Sequence, residues 1–145
     1  FAVSNRLNTN PTTYPDFVAD TTNEGTTSVA SYLTRPVVLD NTSTALDIRL
    51  TANVRTSSEI KVFFRTSAAD EVRDINDISW TAFNSDGSED TTVIPAENDV
   101  DFKEYKYTAS SLNGFEAFQI KIIMNGTISS YPPKIRDMRG IALAL

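Results

Sequence analysis

The sequence predicts an all-β fold, a two-sheet antiparallel β-sandwich of jelly-roll topology. Three observations predict it. Leu46, Ile48, Leu50, Ala52 and Val54 share one parity, while Asp47, Arg49, Thr51 and Asn53 share the other. A period of two over that length marks a strand with one face on a core and one in water. Turn clusters, such as D-N-T-S at 40–43 and N-S-D-G-S-E-D at 84–90, recur between short apolar runs. No stretch carries the 3.6-residue period of a long helix. An immunoglobulin-like strand order stays open beside the jelly roll, and the lack of cysteine excludes only its disulfide-bonded form.

Taken in order, residues 1–26 are rich in Asn, Thr, Pro and Asp and show no period. They read as an irregular arm or linker, either anchored by Tyr14, Phe17 and Val18 or a disordered leader. The sandwich is expected over 27–145. Residues 28–34 and 36–39 are its opening strands. After the turn at 40–43 come the strand at 46–54, a T-S-S-E turn, and a strand with Ile60, Val62 and Phe64 on one parity. The last two are expected to pair with each other. Residues 68–76 read as an acidic loop or a single helical turn, 78–83 as a short strand with the only Trp, and Val93-Ile94 as another. Residues 101–108 place Tyr105 and Tyr107 on one parity. Two strong strands close the fold from Gly114 to Leu145, with Phe118, Ile120, Ile122 and Met124 expected to face the core. In the last strand, Ile141, Leu143 and Leu145 share parity with Arg139, so either Gly140 marks a bulge or Arg139 is paired inside. The total is about eight short strands without a long helix.

A chain of 145 residues suits one domain. It carries a net charge of -6, which argues against a nucleic-acid partner. No apolar run approaches the about 20 residues of a membrane helix, so no membrane insertion is expected. The start, F-A-V-S-N-R-L-N, does not read as a signal peptide, and beginning without Met is what a processed product or a piece of a longer protein would show. With no Cys and no His, thiolate chemistry and Ser-His-Asp triads are excluded, and the usual acid–base residue is missing. A carboxylate-pair hydrolase ranks last among the readings, and the chain is expected not to be an enzyme.

Three sets of side chains could carry a function. Asp70, Asp74 and Asp77, with Glu71, lie on an acidic stretch whose oxygens suit calcium, although the spacing is not that of an EF-hand and a solvated loop is the preferred explanation. Calcium is the only cofactor considered. Trp80, Tyr105, Tyr107 and Tyr131 could stack on sugar rings, or simply fill the core as strand aromatics do. Arg65, Lys121, Arg136 and Arg139 could pair across strands with Asp47, Glu104 or Asp137. Asn125-Gly126-Thr127 matches a glycosylation acceptor, and its plainer meaning is an Asn-Gly turn.

The final third also carries a resemblance. F-x-x-Y-x-Y at 102–107, F-x-A-F-Q-I-K-I at 115–122, the Pro132-Pro133 turn and the ending I-R-D-M-R-G-I-A-L, together with I-K-V-F-F-R-T-S at 60–67, resemble the C-terminal domain of virion structural proteins of marine tailed phages. The likeness is strongest to contractile-tailed phages of cyanobacteria and covers roughly 34–145. It implies a baseplate, tail-fibre or related component in the phage particle, made in the host cytoplasm. The partners it implies are other virion proteins, further copies of the chain and, for attachment, a host surface glycan. It implies no catalytic residue. The runner-up reading is a lectin-like carbohydrate-binding module.

Overall fold

A computed structural model describes residues 2–3, 21, 30–128 and 130–145. Among these residues, nine strands form two antiparallel sheets and no α-helix occurs. One sheet runs β1 (Ala2–Val3), β2 (Ala30–Leu33), β8 (Phe115–Gly126), β5 (Ser58–Ser67), β6 (Thr81–Ala82), with β3 (Val37–Ser43) also beside β8. The other runs β7 (Lys103–Ala109), β4 (Ala45–Asn53), β9 (Lys134–Leu143). The chain is thus an all-β, two-sheet antiparallel sandwich. Its sheets of six and three strands do not by themselves define a jelly-roll order.

The core lies between the sheets and follows the parities in the sequence. Leu46, Ile48 and Leu50 of β4 and Tyr105 and Tyr107 of β7 meet Ile60, Val62 and Phe64 of β5 and Phe118, Ile120, Ile122 and Met124 of β8. Each such buried side chain contributes about 1.5–3 kcal/mol of transfer free energy. Phe83 joins them, its ring 4.7 Å from Phe64 and 6.0 Å from Tyr107.

β8 organises the larger sheet. It pairs with β5 without a break from Ser58↔Gly126 to Ser67↔Ala117. Its other edge is shared by β2 and β3. Both of its faces are buried, because the segment after β5 folds back over the outer face. There Phe63, Trp80 and Ile123 pack together, Arg65 and Lys121 lie over the Trp80 ring, and Gln119 and Asn125 are buried as well.

The expected pairing of the strands at 46–54 and 60–65 does not occur. The turn between them carries the chain from one sheet to the other, so β4 pairs with β7 and β9, and β5 with β8 and β6. Alternation defines a strand's inner face but not its neighbour. Residues 40–43, expected as a turn, continue β3, whose register on β8 shifts between Val38 and Ser43. Val93 and Ile94 form no strand, and the strand expected at 78–83 shrinks to Thr81–Ala82. Asn125-Gly126 is the end of β8 and not a turn.

β9 resolves differently from either alternative. Its register on β4 shifts between Ile135↔Ala52 and Asp137↔Thr51, leaving Arg136 as the extra residue. Met138, Gly140 and Ala142 then sit opposite the core residues Leu50, Ile48 and Leu46. Ile141 lies on the outer parity with Arg139 and is 53% exposed.

Within the segment expected as an arm, Ala2 and Val3 pair with Ser31 and Ala30, and the Thr21 carbonyl accepts the Trp80 amide at 2.7 Å. Tyr14, Phe17 and Val18 lie outside the described residues.

Candidate binding cleft

Three pieces of chain converge at the end of the sandwich where β4 passes into β5. The first is the turn itself. The Ser58 amide donates to the Arg55 carbonyl at 2.9 Å, and the Arg55 amide donates to Ser58 Oγ at 2.9 Å, which closes a tight T-S-S turn. The second is the loop from Glu89 to Asp101. Its Ala96 amide donates to the Val54 carbonyl at 2.8 Å. The Asn53 side chain donates to the carbonyls of Asn98 at 2.7 Å and Asp101 at 2.8 Å. The third is the β8–β9 connection, where the Thr127 amide donates to the Ser57 carbonyl at 2.8 Å.

Between these pieces lie two adjoining hollows that share Arg55, Thr56 and Pro95. The larger, about 530 Å3, is completed by Ser57, Ile94, Ala96, Glu97, Ile128 and Tyr131. The smaller, about 220 Å3, is lined further by Glu59, Lys61, Glu89 and Tyr105. Arg55 is the hinge of the arrangement. Its guanidinium binds Asp99 at 2.9 Å and lies over the Tyr131 ring, 4.6 Å from the centroid. Lys134 also approaches Asp99, at 3.9 Å. Another hollow, about 330 Å3 and mostly apolar, opens between β2 and β9 at Tyr32, Ile122, Met124 and Met138.

The structure separates the four aromatic candidates. Tyr107 is fully enclosed in the core and Trp80 is 4% exposed, so neither ring has a face to offer a sugar. Tyr105 is also a core residue, touching the smaller hollow from below. Burial, with Glu89 and Asp101 adding to it, pushes the Tyr105 phenol up to about 12. Tyr131 is 40% exposed and stands at the larger hollow. Tyr105 and Tyr131 therefore line separate hollows that share Arg55, while Trp80 and Tyr107 belong elsewhere.

The acidic candidates do not converge. Among the described residues no three Asp, Glu, His or Cys side chains come together as a ligand set. Asp74 caps a short 3₁₀ turn at Ile75–Asp77, accepting the Asn76 amide at 2.9 Å. Asp70 is exposed. Glu71 is held at about 2 by the hydrogen bond and charge of Arg73.

The basic candidates divide in the same way. Arg139 reaches Glu104 at 3.3 Å and Asp137 at 4.0 Å, and Arg49 binds the other oxygen of Glu104 at 3.1 Å. Arg136 stacks on Phe102 at 4.6 Å. Arg65 is buried, donating to Gln119 Oε1, the Asn76 and Ile78 carbonyls and Asn76 Oδ1. Burial lowers its pKa against the opposing pull of Asp74 and Asp77.

The carboxylates whose pKa values move, Glu71, Asp86 and Asp90, all move down. Asp90 does so against its own burial, through hydrogen bonds from Asn84 and Thr108. None of the three is raised toward the range of a general acid.

Arg55, Ile94, Glu97 and Ile128 were not legible as site residues. The T-S-S-E stretch was legible only as a turn, and which loops it would meet depends on the crossing between sheets, which leaves no mark in a linear pattern. No protein-family model, curated protein or solved structure matches the chain.

Proposed function

We propose that this chain is a non-enzymatic structural or interaction domain of a phage virion, a tail, baseplate or fibre component that acts in particle assembly or host attachment. Its partners are other virion proteins and further copies of itself, and its place is the particle. The observation that carries this reading is the edge formed by β9. It ends the three-stranded sheet with no strand beside it among the described residues, and its outer row exposes Ile141 and Leu143. An open edge with apolar side chains invites a further strand or a second surface. Natural edges are usually blunted by charge and bulges, and the first half of β9 is, with Lys134, Arg136, Asp137, Arg139 and the shift at Arg136. The half from Gly140 onward carries no charge. The likeness to phage virion proteins falls on the strands that build this sandwich, β5, β7, β8 and β9. Among the described residues no helix is long and apolar enough to cross a membrane.

The test is location. Antibodies raised against the purified chain should label the tail or baseplate of particles from a lysate that expresses this gene. Particles that carry no label, and whose peptides lack this sequence by mass spectrometry, sink the reading.

A further inference from the structure

We propose that the larger hollow at the loop end is a binding site for a neutral glycan, with Tyr131 as its stacking platform and Arg55 as the group that fixes that platform. The inference stands on the geometry of the cleft and does not depend on where the protein resides.

An exposed tyrosine alone would mean little. This one is built in. One face of its ring carries the Arg55 guanidinium, and Arg55 is held in turn by Asp99. The Tyr131 amide donates to the Ile128 carbonyl at 3.2 Å, which ties the ring's backbone to the β8–β9 connection. Holding the ring before the ligand arrives removes part of the ordering cost of binding. With 40% of the residue exposed at the hollow, ring surface is left for the C–H face of a pyranose, the contact that aromatic side chains make with sugars.

The rest of the hollow fits the same class of ligand. Thr56 and Ser57 bring hydroxyls that donate and accept, Glu97 brings a carboxylate that accepts, and Ile94 and Ile128 are exposed apolar walls. A volume of about 530 Å3 falls inside the about 300–1,000 Å3 usual for small-ligand sites.

Charge decides between neutral and anionic ligands. Arg55 and Lys134 are both engaged by Asp99, and Lys61 approaches Asp86 at 4.0 Å. Glu97 in this hollow and Glu59 and Glu89 in the next have no ion pair among the described residues. A sialylated, uronic or phosphorylated ligand would therefore be repelled, and a neutral one would not.

The experiment is a glycan array probed with the purified chain. It is followed by calorimetric titration with cellobiose, maltose and N-acetylglucosamine oligomers, with a sialylated trisaccharide as the anionic arm. Binding of at least one neutral glycan is expected, and no binding of the anionic arm. Tyr131→Ala should weaken it by roughly tenfold or more. Thr56→Trp, at an exposed turn position, should block it while leaving the melting temperature unchanged. Tyr32→Ala, at the other hollow, should leave it intact. A flat array, a preference for anionic glycans, or equal binding by wild type, Tyr131→Ala and Thr56→Trp overturns the proposal. A flat array beside labelled particles removes the glycan site and leaves the virion reading standing.

Discussion

Arg65 lays its guanidinium over the indole of Trp80, 4.2 Å from the ring centroid, on the outer face of the larger sheet. Both side chains are buried. Five hydrogen bonds hold the guanidinium, and the Trp80 amide is held by the Thr21 carbonyl. Gln119 extends the set by donating to the Thr34 carbonyl at 2.7 Å. The sheet thus has a second, polar core behind the apolar one, and Trp80 is its lid. Trp80→Ala should lower stability by about 3–5 kcal/mol, the range for losing a large buried aromatic. Because Trp80 is the only Trp, wild-type unfolding in urea can be followed by its fluorescence, and circular dichroism can follow the variant. A midpoint shift worth under about 1 kcal/mol would show that the face is held without it.

This polar core also marks the limit of what the sequence discloses. The parities of β4, β5, β7 and β8 were readable, and with them the apolar core, because a strand with one buried face must alternate. Gln119 and Lys121 lie on the other parity of β8, away from the face expected in the core. They are buried because residues 68–82 return over them, an event set by tertiary packing. In β9 the extra residue at Arg136 re-aims the strand, so the apolar residues Ile141 and Leu143 point outward and Gly140 points in. A bulge is a backbone event that composition does not announce. At the candidate cleft, Tyr131 was found by residue type, whereas Arg55 was found only by its position beside it.

The fully enclosed Tyr107 gives a pH signature. Burial, with Glu89 adding to it, raises its pKa well above the ordinary phenol value, and Tyr105 is raised to about 12. A raised folded-state pKa contributes stability that is fully present below the unfolded value of about 10 and is lost as pH rises through the folded value. The protein should therefore lose stability progressively above pH about 10, and the Tyr107 phenolate should form only on unfolding. Phenolate absorbance and far-ultraviolet circular dichroism, recorded together against pH, test this. If all five tyrosines titrate near pH 10 with the fold intact, the enclosure of Tyr107 is wrong.

Asn53 is fully buried and spends its amide on two carbonyls of the loop that walls the cleft, those of Asn98 and Asp101. Asn53→Ala leaves both acceptors without that donor in a part-buried setting. The expected cost is about 1–3 kcal/mol. The damage should also be local. Limited proteolysis should cut the variant within residues 89–101 faster than the wild type, under conditions where both remain folded. Equal cleavage rates would show that the Ala96–Val54 hydrogen bond alone holds the loop.

The end of β9 supplies the sharpest test of the smaller sheet. Gly140, Ile141, Ala142 and Leu143 stand opposite Ile48, Asp47, Leu46 and Ala45 of β4, in the middle of that sheet. Gly140 is there for close approach, since a Cβ would come within 3.1 Å of Ile48 Cδ1. Removing residues 140–145 strips the partner strand from β4 beside two core residues and leaves Leu46 and Ile48 beside an open edge. The deletion should give insoluble protein, because the end of the sheet reduced to β7 and β4 cannot cover its part of the core. Gly140→Val is the milder probe. It should stay soluble and lose about 1–3 kcal/mol, as overpacking against Ile48 predicts. A truncated chain that is soluble and melts cooperatively would place the closure of this sandwich elsewhere than in β9.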